Sequence, residues 1–88
     1  MIQDEIQNIV SSLRPEDRDY IRSLAVGDLI LLHRTLGPTL RNAFRANTYP
    51  YLFAHCNEHE APGTRSIDSI SRIASRLIWE HLRNATDA

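Results

Sequence analysis

The chain contains no lysine; all ten of its basic residues are arginines. Arginine pairs with carboxylates and phosphates through a rigid two-pronged fork and is enriched at interfaces. There is no excess of positive charge either. The formal net charge is −1, without the strong basic surplus normal for non-specific nucleic-acid binders. A single cysteine, Cys56, excludes a framework of internal disulfides and suits a reducing compartment, so we expect a cytoplasmic protein. The three glycines are scattered, so no phosphate-cradling loop is present. No apolar run approaches the length that spans a bilayer, and the opening MIQDEIQNIV is too acidic and polar for a secretory or transit leader. Internal repeats, low-complexity stretches and alternating strand patterns are also lacking.

What remains is 88 residues of ordinary globular composition, read as one domain over 1–88. A chain of this size buries a modest share of its surface, which favours association with a second copy or a partner. The charge is unevenly placed. Residues 1–33 hold three arginines against six acids, and residues 34–83 hold seven against four. Either the two halves attract each other within the fold, or the basic half faces an acidic partner.

Periodicity predicts an all-α domain of four to six short helices. Residues 2–13 carry Ile2, Ile6, Ile9, Val10 and Leu13 at helical spacing. Pro15 opens a second helix whose buried face is Tyr20, Ile21 and Leu24, ending by Gly27. A central helix spans about 28–45, with Asp28 as its cap. Leu29–Leu36 reads as pure core, being apolar nearly all round. Gly37-Pro38 should kink or, in our preferred reading, break the helix, because Pro38 lacks an amide donor and clashes with the preceding turn. Asn47–Pro50 is a turn, and a short helix from Tyr51 fades by Glu58. Glu60–Ser66 is a loop. The last helix, about 67–84 with Ser66 as cap, carries the stripe Ile67, Ile70, Ile73, Ala74, Leu77, Ile78 and Leu82, and packs on the central helix. The tail Ala85–Ala88 should fray.

Within this frame, Leu32-His33, Leu36-Gly37, Leu40-Arg41-Asn42 and Phe44 form a string that resembles an LHxxLGxx[IL]RNxF signature. It is similar to that of a family of short bacterial and phage-borne domains of unknown function. Asp68, Ser71, Trp79 and Leu82 sit at spacings comparable with the family's second block. Two departures are Pro38 inside the first block and Ser69 where the family has a second acid. The resemblance implies a compact helical domain of bacterial or phage origin and brings no activity with it.

Few residues offer chemistry. His55 and His59 lie one turn apart with Cys56 between them, a metal-ligand spacing that His33 would have to complete. The plainer reading is a buried Cys56 and two exposed histidines, and no metal or cofactor is expected. His55 beside Cys56 is not a nucleophile–base pair, since helix neighbours face different ways. The chain is therefore expected not to be an enzyme. Arg34, Arg41 and Arg45, spaced by seven and four, would share one face of a continuous helix; Arg65, Arg72, Arg76 and Arg83 repeat that spacing. Such stripes are either solvated faces or recognition surfaces. Asn42 either ties down the following turn or meets a partner. Phe44 and Phe53 suit a core, and Tyr49 and Tyr51, flanking Pro50, suit a surface. The expected role is non-catalytic protein binding of adaptor, inhibitor or immunity type, through Arg34, Arg41, Asn42, Arg45, Tyr49 and Tyr51. The expected partner is an acidic protein or a second copy in a homodimer. Nucleic-acid binding through the arginine stripes is the alternative.

Overall fold

The computed structural model describes residues 1–60 and 66–85. The middle of the Glu60–Ser66 loop and the tail from residue 86 lie outside the described residues. Among those described there are five α-helices and no strand: α1 (Ile2–Ser12), α2 (Pro15–Ser23), α3 (Leu29–Arg45), α4 (Pro50–Glu58) and α5 (Ile67–Ala85), with a 3-10 turn at Val26–Asp28. No described helix is long and apolar enough to cross a membrane. The radius of gyration is 12.3 Å, against about 12 Å for one compact domain of this length.

Helix ends follow local chemistry. Pro15 and Pro50 each occupy a first helical turn, where a missing amide costs nothing. Asn47, at φ 57°, closes α3 in the left-handed region that Asn tolerates. Its N–H donates to the Phe44 carbonyl and that of Thr48 to the Ala43 carbonyl, which satisfies the helix end. Ser66 Oγ accepts the Ser69 N–H at 3.1 Å, and Ser69 Oγ accepts the Ser66 N–H at 3.1 Å. This reciprocal cap starts α5 and gives Ser69 a structural task.

All five helices contribute to one core, and α3 against α5 is its largest interface. α3 buries Leu32, Leu36, Leu40 and Phe44, and α5 buries residues that include Ser71, Ala74, Ser75 and Ile78. The two buried serines are satisfied within their own helix, by the Ile67 and Ser71 carbonyls at 2.7 and 2.8 Å. They serve as small residues that let the helices approach.

Four expectations need correction. α3 is not broken at Gly37-Pro38; Pro38 lies inside it. Pro38 and Arg34, whose carbonyl loses its amide partner, are both exposed. Water can take that carbonyl, while Leu36, Leu40 and Phe44 anchor the helix on either side. Leu29–Leu36 is not pure core either, since Ile30 and Leu31 are 59% and 41% exposed and Leu32 is fully buried. Tyr20 points outward instead of lining the α2 core face. Asp28 makes no cap bond to α3; its Oδ2 accepts the Ala25 N–H at 3.4 Å and closes the 3-10 turn instead.

Two side chains tie helix ends across the fold. Glu5 of α1 is buried and accepts the Leu52 N–H at 2.6 Å through Oε1 and the Tyr51 N–H at 3.3 Å through Oε2. The start of α4, where Tyr49 offers no side-chain cap, is thus capped by another helix. Trp79 Nε1 donates to the Leu24 carbonyl at the end of α2 at 2.9 Å, and Arg83, stacked 5.0 Å over the indole, donates to the same oxygen at 3.3 Å.

Candidate interaction surface

On the continuous α3, residues four apart share a face. His33, Gly37 and Arg41 form such a row, turned toward Asp68 at the start of α5. His33 Nε2 lies 3.2 Å and Arg41 Nη1 3.1 Å from Asp68 Oδ1, and Arg72 Nη2 lies 3.7 Å from Oδ2. We assign the imidazole proton to Nε2, which faces the carboxylate. An ionised carboxylate can only accept, so the facing Nε2 carries a proton, and Nδ1 is buried without a hydrogen-bond partner among the described residues. Gly37 explains how two large side chains reach one carboxylate. A Cβ there would sit 3.2 Å from Arg41 Nη1 and 3.2 Å from both His33 Cε1 and Nδ1.

His33, Gly37 and Arg41 of α3 and Asp68 of α5 therefore form one cluster. This pairing was not derivable from spacing, since Asp68 lies 27 residues beyond Arg41. It carries a prediction. Double-mutant cycles of Arg41→Ala with Asp68→Ala should give a coupling of about 0.5 kcal/mol, because Asp68 is half exposed. The same cycle in a Gly37→Ala background should give a smaller coupling, since the added methyl, 3.2 Å from Arg41 Nη1, pushes the guanidinium by a few tenths of an ångström. An unchanged coupling would remove Gly37 from this role.

α3 and α5 run antiparallel, and the seam continues past the cluster. A groove there is lined by Leu29, Ile30, His33, Arg72, Ser75 and Arg76. One turn further, a second is lined by Ala25, Val26, Trp79, Glu80, Arg83 and Asn84. Val26 and Ile30, each 59% exposed, stand along one side. The other side is α5, with Arg72 and Arg76 held only by exposed intrahelical pairs to Asp68 and Glu80.

Of the sequence-predicted site residues, the structure aligns Arg34, Arg41 and Arg45 along one side of α3. Arg41 is half-buried in the Asp68 cluster. Arg34 and Arg45 are exposed and make no hydrogen bond or ion pair with the described residues. Asn42 is exposed; its carbonyl accepts the Ala46 N–H at 3.1 Å, and the turn after α3 is held by backbone bonds without the Asn42 side chain. Tyr49 is a correction: it packs half-buried against the core rather than standing on the surface. Tyr51 is 62% exposed. Ile30 and Leu31 were not among the expected binding residues, because an apolar run reads as core until its covered side is known.

The candidate ligands separate. The His55 and His59 rings pack 4.5 Å apart, and Cys56 points into the core with no exposure. Among the described residues, no group of three or more His, Cys, Asp or Glu is arranged to hold a metal ion. Burial pushes the Cys56 thiol up to about 12. Thiolate is the reactive form. A thiol-reactive probe at pH 8 should therefore label native protein far more slowly than protein in urea, and equal rates would place Cys56 at the surface.

Compared with protein-family models, curated proteins and solved structures, the chain matches none of them.

Proposed function

We propose that this is a non-catalytic protein-binding module, of adaptor, inhibitor or immunity type, that engages its partner through the basic face of α3. The carrying observation is the row of exposed Arg34 and Arg45 without partners among the described residues, on the helix that also exposes Ile30. None of the arginine–carboxylate pairs among the described residues joins the acidic first third of the chain to the basic remainder; each is local or centred on Asp68. Arg34 and Arg45 of the basic half are thus left without an ion pair among the described residues, which supports an outside acidic partner.

A photo-cross-linker placed in turn at positions 34, 45 and 51, and at 16 on α2 as control, tests this in the cell that makes the protein. Discrete protein adducts are expected from 34 and 45 and none from 16. No adducts from the α3 positions would overturn the reading. Adducts that disappear on nuclease treatment would overturn it in favour of a nucleic-acid partner.

A further inference from the structure

Three features compete for attention outside the Arg34–Arg45 row. The Asp68 cluster is internally paired, its one carboxylate already shared by His33, Arg41 and Arg72. The His55–His59 pair has no third ligand among the described residues. The α3/α5 seam differs from both, because it combines exposed apolar side chains with loosely held charge along a straight track.

We infer that this seam docks an amphipathic helix with an apolar stripe and acidic flanks. The inference rests on the binding role proposed above and names the partner's chemistry. From Asp68 to Asn84 the track on α5 is about 25 Å long at 1.5 Å per residue, enough for a helix of roughly 16 residues. A docked helix would lay apolar residues at i, i+3, i+4 and i+7 against Val26 and Ile30, which present their side chains one turn apart. Its flanks would then pass Arg34 on the α3 side and Arg72, Arg76 and Arg83 on the α5 side.

Charge decides the sign of those flanks. Together, α3 and α5 carry six arginines against two acids, Asp68 and Glu80. Arg72 and Arg76 are in exposed pairs with those two acids, and such pairs contribute little and exchange readily. A partner carboxylate can therefore recruit them without stranding a buried charge. A second copy fits less well. A copy would have to bring the exposed or partly exposed acids of its α1 and α2, Asp4, Glu16, Asp17 and Asp19, to the basic seam. That contact is heterologous and does not close on itself.

The test uses the full chain, isotopically labelled, and two synthetic 16-residue helices sharing one leucine stripe, with glutamate flanks in one and lysine flanks in the other. The glutamate peptide should bind, should shift resonances of Val26, Ile30, His33 and Arg76 rather than those of α2, and should weaken as salt is raised. Ile30→Glu and Arg76→Glu should each weaken it about tenfold or more, with thermal melting unchanged because both side chains are exposed. Glu16→Gln should have no effect. Equal binding of both peptides, no binding of the glutamate peptide, or shifts centred elsewhere would overturn the inference. Concentration-dependent dimerisation abolished by Ile30→Glu would overturn it in favour of a second copy. If cross-links form from positions 34 and 45 while the glutamate peptide fails, the binding role stands and the acidic-helix partner falls.

Discussion

Replacing Glu5 with alanine should lower the stability of this domain by about 3 kcal/mol, and the melting temperature by roughly 10–20 °C. Glu5 is a buried acid on a helix that packs against the start of α4. Its two oxygens accept the amides of Tyr51 and Leu52, the second and third residues of α4. These amides have no acceptor within their own helix. The positive end of the α4 dipole adds to the attraction for a carboxylate. Alanine would leave the Leu52 amide buried without a partner and remove the link between α1 and α4. Glutamine should cost less, about 1 kcal/mol, because its carbonyl oxygen still accepts one amide while its NH2 opposes the other donor. Urea melts of the three proteins decide the matter. An alanine variant within about 0.5 kcal/mol of the wild type would show that water replaces the carboxylate.

Leu32→Ala should destabilise by about 3 kcal/mol, within the usual 2–5 kcal/mol range for a buried leucine. Leu31→Ala and Ile30→Ala should each stay within about 1 kcal/mol. The three residues are consecutive and chemically alike, yet Leu32 is fully buried while its two neighbours face solvent over roughly half their surface. A domain of this length has about 5–10 kcal/mol in hand, so the Leu32 variant should be visibly less cooperative at physiological temperature. Comparable losses at all three positions would mean that Ile30 and Leu31 are covered in solution, and dimer formation would be the first thing to examine.

The same run of residues separates what was legible in the sequence from what was not. The helical class, the start of α2 at Pro15, that of α4 one residue before the expected Tyr51, the turn at Asn47 and the apolar stripe of α5 all followed from residue chemistry acting over one or two turns. Proline fixes its own φ and lacks one donor wherever it sits. Asn tolerates the left-handed conformation that ends α3. These are local preferences, and the local environment is enough to express them.

Tertiary structure decided everything that depended on which side of a helix is covered and on what meets it from a distance. In Leu29–Leu32, apolar side chains surround the helix, so periodicity alone cannot choose the buried face; the packed helices choose it, burying Leu32 fully and leaving Ile30 at the edge of a groove. Pro38 stays within α3 because its side of the helix faces water. Glu5 and Asp68 look like ordinary first-turn acids, and their roles come from partners 46 and 27 residues away, respectively. The sequence by itself determined that this protein is a small bundle of helices and where most of those helices begin. Only the fold decided which of its apolar and charged groups hold it together and which stay at the surface, because that division is set by contacts between helices that no single helix encodes.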